Sequence, residues 1–248
     1  MDGAARPPRN KKAMSETALE LGDVSAWYGR SQALHDVNLT VRRGEVITIA
    51  GRNGSGRTTL FKTILRMMPR QAGRVSVFGV DVHAMRTPQV AKLGIGYCPE
   101  ERAIFKTLTC DENLALVPKL GDRPGFSVDE LYEIFPNLHA RRRAKGGTLS
   151  GGEQQMLALA RILRAGAELF LLDEISEGLA PIIVEKLREV VSLLRERRAT
   201  VLLAEQNFEF AKELSDRLCF MDHGQIVESI PASEIDSRPD LVQRFLTL

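Results

Sequence analysis

Gly51-Arg52-Asn53-Gly54-Ser55-Gly56-Arg57-Thr58-Thr59 is a phosphate-loop sequence with one unusual residue. It follows the pattern G-x-x-x-x-G-K-S/T, except that Arg57 stands at the position of the lysine. An apolar, β-branched run at residues 46–50 precedes it, and residues 60–68 follow with the apolar spacing of a helix. A strand, a glycine-rich turn and a helix N-terminus together direct backbone N–H groups at an anion. The segment therefore predicts a nucleotide phosphate site in which Thr58 offers its hydroxyl to Mg²⁺.

The composition is that of an ordinary globular protein. Hydrophobic residues make up 44% and charged residues 27% of the 248 positions, and the net charge is +2. This near-neutral charge gives no electrostatic footprint for nucleic acid, so no nucleic-acid partner is expected. The three cysteines lack C-x-x-C spacing and predict neither a disulfide framework nor a metal site. No apolar run approaches the roughly 20 residues of a membrane span.

The two ends of the chain carry weaker signals. Residues 1–16 are basic and lack the apolar core of a signal peptide, so they predict a disordered tail, with Met14 as an alternative start to Met1. Residues 231–248 have the apolar spacing of a final amphipathic helix that packs on the core.

The order of apolar patterns predicts one domain over residues 17–248. Residues 19–39 alternate short apolar runs and predict a small antiparallel β section. The pattern turns helical between about residues 108 and 164, after which strand-like runs at 168–172 and 200–204 flank a helix. We therefore expect a nucleotide-binding α/β core of about residues 17–98 and 165–248, interrupted by a helical lobe of about residues 99–164.

A second motif, Leu149-Ser150-Gly151-Gly152-Glu153-Gln154-Gln155, narrows the class of nucleotide-binding protein. Ser150 and Glu153 have the spacing of a capping box, so Ser150 should begin a helix whose first N–H groups belong to two glycines. Further along, an apolar strand-like run ends in Asp173 and Glu174. The carboxyl edge of an open parallel sheet is where ligands bind. Asp173 can hold Mg²⁺ through water and Glu174 can take a proton from attacking water; a solvated acidic turn is the alternative.

These motifs, in this order, resemble the nucleotide-binding subunit of an ATP-binding cassette (ABC) transporter over about residues 18–230. The resemblance implies an α/β fold of the ABC ATPase type: a P-loop NTPase (RecA-like) core with an antiparallel β section and an inserted helical lobe. Within that superfamily the chain is most similar to the ATPase subunits of bacterial branched-chain amino acid (LIV-type) importers. The residues that carry this narrower resemblance are Gly51-Arg52-Asn53-Gly54, Pro99-Glu100, Ile104-Phe105, Leu108-Thr109, Gly178-Leu179-Ala180-Pro181 and Glu205-Gln206-Asn207.

The resemblance assigns ATP contacts to matching positions. Tyr28 would stack on adenine. Ser150, Gly151 and Gly152 would contact ATP bound to the opposite subunit, so that each nucleotide lies between two chains. Ser176-Glu177-Gly178-Leu179 would be the loop through which the two sites communicate. The remaining nucleotide-binding residues would be Gly51, Asn53, Gly54, Ser55, Gly56, Arg57, Thr58 and Thr59.

It also assigns catalytic and metal-binding roles. Glu174, Gln206 and Glu100 would be catalytic, and Thr58, Asp173 and Glu100 would hold Mg²⁺. Glu100 stands where most of the superfamily has glutamine, and a carboxylate cannot donate a hydrogen bond. Gln206 stands where histidine is usual, and an amide cannot titrate near neutral pH. Both residues are normal for the LIV-type group.

Two other positions depart from the family pattern. Ile175 replaces the usual proline after the acidic pair, and only a mild effect is expected. Arg57 replaces lysine, and its guanidinium keeps the charge but is longer, planar and forked. Backbone amides and Mg²⁺ still support binding, whereas hydrolysis depends on positioning and charge stabilisation. We therefore expect ATP binding with slow hydrolysis at this chain's own loop.

The resemblance implies an ATPase subunit that energises import of branched-chain amino acids, placed peripherally on the cytoplasmic face of the bacterial inner membrane. Its partners would be a second ATPase subunit of the same or a different kind, transmembrane permease subunits and, indirectly, a periplasmic binding protein. One alternative is the ATPase of a urea or short-amide importer. Another is a degenerate nucleotide-binding regulatory subunit that completes a partner's site. A cassette acting on DNA or ribosomes is disfavoured, because this single compact cassette has no duplication or long insertion.

Overall fold

The computed structural model describes residues 16–121 and 123–245. Its strands are β1 (Thr17–Tyr28), β2 (Ser31–Arg42), β3 (Val46–Ala50), β4 (Arg70–Val77), β5 (Val80–Asp81), β6 (Ile95–Cys98), β7 (Leu169–Asp173), β8 (Thr200–Glu205), β9 (Arg217–Asp222) and β10 (Gln225–Pro231). Its α-helices are α1 (Arg57–Ile64), α2 (Thr87–Ala91), α3 (Cys110–Ala115), α4 (Val128–Ile134), α5 (Pro136–Ala140), α6 (Gly151–Arg164), α7 (Pro181–Glu196), α8 (Phe208–Leu214) and α9 (Pro239–Phe245).

The strands form two sheets. The four-stranded sheet has the order β2-β1-β4-β5 and is antiparallel. The six-stranded sheet has the order β10-β9-β3-β8-β7-β6, in which all neighbours are parallel except β10 and β9. Every residue of β3, β7 and β8 is buried, as expected for parallel strands covered on both faces. The carboxyl ends of these three strands meet at one edge of the sheet, which is where the candidate site lies.

Two hydrophobic clusters cover the two faces of the parallel sheet. One joins α4, α6 and α7 to the sheet through residues such as Leu131, Met156, Phe170 and Val190. The other joins the antiparallel sheet and α1 to the opposite face. Because the helices between residues 99 and 164 share a cluster with the parallel sheet, the packing does not by itself divide the chain, and the boundaries of core and lobe stay a prediction.

Side-chain caps explain where several helices begin. At the start of α6 the Ser150 hydroxyl accepts from the Glu153 N–H at 3.3 Å, and the Glu153 carboxylate accepts from the Ser150 N–H at 2.7 Å. The prediction that Ser150 begins a helix is therefore confirmed. The same reciprocal pair begins α3 at Thr109 and α4 at Ser127.

The predicted fold class is confirmed, with differences in the length of two helices. The antiparallel β section is present, but the helix after the phosphate loop ends at Ile64 rather than near residue 68, because Arg66 adopts φ 59° and turns the chain. The single C-terminal helix expected over residues 231–248 is instead a 3₁₀ segment, Ala232–Ser237, followed by α9. Pro239 starts that new helix because proline is tolerated only in a first turn.

Three further predictions from the sequence concern the cysteines, the ends of the chain and membrane-spanning helices. The three cysteines are free and buried. Residues 1–15 of the predicted tail and residues 246–248 lie outside the described part of the chain. Over the residues that are described, no helix combines the length and the apolar character needed to cross a membrane.

Candidate functional site

The phosphate loop connects β3 to α1 and is shaped by its contacts with the sheet. A Cβ atom on Gly51 would stand 2.3 Å from the Met221 carbonyl oxygen, so only glycine fits where the loop leaves β3. Gly56 has φ 110° at the N-terminus of α1, a conformation that favours glycine. The turn between β9 and β10 braces the loop, because the Gly224 N–H donates to the Ser55 carbonyl oxygen at 2.8 Å. The loop is thus held open with its N–H groups at the start of a helix.

A cavity of about 410 Å³ opens in front of the loop. Two buried polar atoms here, the Ser55 hydroxyl and Arg57 Nη1, have no hydrogen-bond partner among the described residues. Buried polar groups in native proteins are normally paired, so these two atoms are suited to an anionic ligand. Tyr28 is 48% exposed, with its hydroxyl 3.5 Å from the Thr59 hydroxyl. The cavity is lined by Tyr28, Ser31, Gln32, Ala33, Gly54, Ser55, Gly56, Arg57, Thr58, Thr59, Glu174 and His223.

Arg57 and Glu174 form a buried ion pair at this cavity. Arg57 Nη2 contacts Glu174 Oε1 closely and also donates to Asn53 Oδ1 at 3.2 Å. The two charged side chains are only 4% and 10% exposed. Burying a charge is costly unless it is paired, so each side chain here depends on the other for its counter-charge. The Arg57 guanidinium, which is expected to bind phosphate, is therefore paired with the Glu174 carboxylate, which is expected to accept a proton.

Glu174 itself has an unusual backbone conformation. It follows β7 with φ 47°, in the left-handed region that residues other than glycine seldom adopt. Its N–H donates to the Ala204 carbonyl oxygen at 2.8 Å, which fixes this turn against β8. Local strain of this kind concentrates at functional sites and persists because the surrounding structure enforces it.

Asp173 accepts one hydrogen bond on each carboxylate oxygen. The Thr58 hydroxyl donates to Oδ1 at 3.2 Å and the Tyr97 hydroxyl donates to Oδ2 at 3.2 Å. Burial raises the pKa of Asp173 to about 6, although the bonds from Thr58 and Tyr97 lower it. Mg²⁺ in nucleotide sites takes one or two carboxylates, substrate phosphates and water rather than an all-protein cage. The Thr58 hydroxyl and the Asp173 carboxylate fit that description. Residues 16–121 and 123–245 contain no cluster of three His, Cys, Asp or Glu residues that could hold a metal ion.

Glu205 is a buried acid at the end of β8. The Ser176 N–H donates to its Oε1 at 3.1 Å, and the Ser176 hydroxyl donates to its Oε2 at 2.7 Å. Burial raises the pKa of Glu205 to about 7, although the bonds from Ser176 lower it. The exposed Gln206 follows directly and lines a cavity of about 660 Å³ with Glu174 and Glu177. Glu205 thus ties the loop after Glu174 to the end of β8, directly before Gln206.

This buried acid makes the stability of the fold depend on pH. A carboxyl whose pKa rises from its ordinary 4.5 to about 7 on folding binds more protons in the folded chain, so its ionisation destabilises the fold as pH rises through that window. Glu205→Gln keeps an acceptor and a donor for Ser176 but cannot ionise. We expect its free energy of unfolding to exceed that of wild type by on the order of 2 kcal/mol at pH 8.5 and by little at pH 5. Urea unfolding at both pH values measures this, and an equal difference at the two would contradict it.

Two sets of predicted site residues lie away from the loop cavity. Glu100 is exposed after β6 and makes no hydrogen bond to Thr58 or Asp173 in the described part of the chain. Its catalytic and metal-binding roles stay predictions. Ser150, Gly151 and Gly152 begin α6 and do not line that cavity; a Cβ on Gly152 would stand 2.8 Å from a side-chain carbon of Ile183. Their contact with a nucleotide on an opposite subunit also stays a prediction.

Three residues at the site are not predicted by the sequence. No motif includes Tyr97, although its place one residue before the end of β6 puts its hydroxyl at the carboxyl edge of the sheet beside Asp173. Glu205 belongs to a family motif, but only its place at the end of the fully buried strand β8 identifies it as a buried acid. His223 lines the loop cavity from the β9–β10 turn, and no local signal in the sequence points to it.

Comparisons with known proteins agree with this geometry. A family model described as ABC transporter matches residues 34–177. The high-affinity branched-chain amino acid transport ATP-binding protein BraG of Pseudomonas aeruginosa is 37% identical over 230 residues, which cover 92% of this chain and 99% of that protein. The lipopolysaccharide export system ATP-binding protein LptB of Escherichia coli is 32% identical over 215 residues, which cover 85% of this chain and 88% of that protein.

The fold is also found among solved structures. A dimeric ATP-binding cassette in a post-hydrolysis state, bound to ADP and phosphate, matches with a TM-score of 0.75 at 23% identity and covers 86% of this chain and 98% of that one. Phosphate loop, acidic strand end, family model and full-length relatives all lead to one conclusion. This chain belongs to the ABC transporter family, as one of its ATP-binding cassette ATPases.

Proposed function

We propose that this chain is the ATP-binding and ATP-hydrolysing subunit of an importer that drives uptake of branched-chain amino acids across the bacterial inner membrane. The observation that carries the proposal is the grouping of the phosphate loop, the Thr58–Asp173 pair and Glu174 around one cavity edge. The unpartnered Arg57 Nη1 and Ser55 hydroxyl supply donors for an anion at that edge. These groups suit phosphoryl transfer, which depends on positioning and on charge stabilisation.

Each side chain has a task in that chemistry. The loop N–H groups and Arg57 hold phosphate oxygens, and Thr58 and Asp173 would hold Mg²⁺, which neutralises charge on the transferred group. Glu174 accepts a proton from the attacking water once its carboxylate is free of Arg57. The Gln206 amide can donate to a terminal phosphate oxygen. Tyr28, exposed beside Thr59, would stack on adenine.

A second ATPase subunit is part of the proposal. Ser150, Gly151 and Gly152 present helix N-terminal N–H groups, yet they lie outside this chain's own loop cavity. Such an end attracts negative charge, so these residues would serve a nucleotide held by a partner chain. The partner is a second copy or a related ATPase, and the solved cassette with the same fold is itself dimeric.

Transmembrane permease subunits complete the proposed assembly. Residues of α2, β6 and α6 line an apolar groove of about 340 Å³, and Met67 on it is 48% exposed. Exposed apolar patches on soluble folds mark interaction sites. A permease docked there would hold the chain peripherally on the cytoplasmic face of the membrane, and a periplasmic binding protein would act on this chain only through the permease.

The substrate is inferred from the relatives. The similarity to BraG covers nearly the whole of that branched-chain amino acid transport protein and has the higher identity. The similarity to LptB, an export protein, is lower in both identity and coverage. Urea or short amides are a second candidate, because ATPases of such importers share nearly the same motifs. A regulatory subunit with a degenerate site is a third, and the observation that favours it is Arg57 in place of lysine.

Uptake by cells with and without the chain tests the proposal. We expect deletion of its gene to abolish energy-dependent uptake of labelled leucine, isoleucine and valine, and re-expression of the wild-type chain to restore it. Re-expression of Thr58→Val should not restore it, because the hydroxyl proposed for Mg²⁺ is gone. Loss of labelled urea uptake with normal leucine uptake would favour the second candidate. Normal uptake of both would overturn an importer role for these substrates.

A further inference from the structure

Tyr97 lies between the nucleotide cavity and the apolar groove described above. It belongs to β6, one residue before the strand ends. Its side chain is partly buried and lines the groove, whose other lining residues include Leu65, Met67, Ile95, Ala158 and Ile162. The residue therefore presents an aromatic surface to the groove and a hydroxyl to the edge of the parallel sheet.

Two contacts fix the orientation of Tyr97. Its ring meets the ring of Phe61 edge to face, with centroids 6.3 Å apart and planes at 89°. Phe61 is fully buried in α1, the helix that begins at the phosphate loop. The Tyr97 hydroxyl donates to Asp173 Oδ2 at 3.2 Å. Edge-to-face aromatic pairs contribute about 0.5–1.5 kcal/mol beyond the area that they bury.

The bond to Asp173 matters because a carboxylate alone is not well oriented. The last torsion of aspartate joins an sp³ to an sp² atom and has a broad, roughly two-fold energy profile. The Thr58 hydroxyl donates one hydrogen bond to Oδ1, at 3.2 Å, and this bond alone still allows the carboxylate to rotate about that torsion. The Tyr97 hydroxyl on Oδ2 is the second bond that fixes the carboxylate plane. Asp173 is fully buried, so no bulk water replaces that bond when it is lost.

We infer that Tyr97 is a positioning residue that orients the Asp173 carboxylate, through its hydroxyl, for a divalent cation shared with Thr58. This inference rests on the proposed ATP-binding function of the same site. Partners that hydrogen-bond metal-binding side chains orient those ligands, and their loss typically lowers metal affinity or activity about 10–100-fold. Because the ring also lines the groove, a change in the groove that moves the ring moves the hydroxyl as well.

The test compares Tyr97→Phe with a matched control. Tyr97→Phe keeps the ring against Phe61 and in the groove and removes only the hydroxyl. The control is Tyr132→Phe, which also removes a tyrosine hydroxyl donating to an aspartate, Asp111, but lies in α4, away from the loop cavity. Binding of Mn²⁺ in the presence of a non-hydrolysable ATP analogue is followed by electron paramagnetic resonance. Binding of the same analogue in EDTA is measured in parallel.

We expect Tyr97→Phe to weaken Mn²⁺ binding about tenfold, with analogue binding in EDTA unchanged. In ATP turnover its kcat should fall with little change in KM for ATP, and more Mg²⁺ should be needed for half-maximal rate. Tyr132→Phe should match wild type in all of these, even if both variants unfold at similarly lowered temperatures.

Mn²⁺ affinity equal in Tyr97→Phe and wild type would overturn the inference and leave the proposed function intact. Equal loss of Mn²⁺ affinity in Tyr132→Phe would overturn it too, because the effect would then be general destabilisation. A wild-type chain that binds no analogue at all, with or without Mn²⁺, would overturn the proposed function together with the inference. If Tyr97→Phe fails to fold, the hydroxyl is needed for folding, and the inference that it serves to position Asp173 would be wrong.

Discussion

Glu174→Gln is expected to lower phosphate release by the assembled transporter at least about 100-fold, while ATP still binds. Glutamine has the shape of glutamate and can still accept a hydrogen bond from Arg57 Nη2, so the cavity should keep its form. It cannot take a proton from the attacking water, and a positioned general base typically contributes 10²–10⁴-fold to a rate. Phosphate release and leucine uptake by the same reconstituted assembly measure the effect.

A neighbouring acid provides the control for this prediction. Glu185 lines the same 660 Å³ cavity as Glu174, but it is 65% exposed on α7 and pairs with Arg188. Glu185→Gln should therefore leave phosphate release near the wild-type rate. Transport that survives Glu174→Gln nearly unchanged would contradict a hydrolytic role for this loop. It would instead support the regulatory alternative, in which the partner's site performs the hydrolysis.

Local patterns in the sequence predicted the parts of the site that depend on neighbouring residues. The phosphate loop needs a strand, glycines and a helix start within a few residues, and all three are visible in residues 46–68. The capping box at Ser150 is likewise local, and so is the acidic end of β7. For such features the chemistry of adjacent side chains determines the structure, so the order of residues is enough to predict them.

Contacts between distant segments could not be predicted in this way. Arg57 and Glu174 are separated by 117 positions, and their pairing depends on β3 and β7 both lying beside β8. The burial of Glu205 also follows from sheet order, since an acid at a strand end is normally solvated. The early end of α1 depends on the left-handed backbone of Arg66, and arginine, unlike glycine or asparagine, does not predict that conformation. These features arise from topology and not from composition or spacing.

Arg57→Lys is expected to raise kcat for ATP hydrolysis at this chain's own loop about tenfold, with little change in ATP affinity. Arg57 holds Glu174 through Nη2 in a buried pair, so the guanidinium competes with water for the carboxylate that should act as base. A lysine ammonium is compact and offers a point charge to the phosphates. It has no second nitrogen that could pair with Glu174 at the same time. Backbone N–H groups and the Thr58–Asp173 pair remain, and therefore binding should be preserved. Single-turnover phosphate release and analogue binding separate the two effects.

The comparison requires each variant to be paired with the same partner subunit. Arg74→Lys is the matched control, since Arg74 is a surface arginine, 61% exposed, paired with Glu20 on the antiparallel sheet. Equal phosphate release from wild type and Arg57→Lys would mean that arginine serves this position as well as lysine does. A higher rate in Arg57→Lys that disappears in Arg57→Lys with Glu174→Gln would show that the gain arises at this chain's own site and requires the Glu174 carboxylate. A gain that persists in that double variant would place it on the partner's site, which Ser150–Gly152 of this chain would complete.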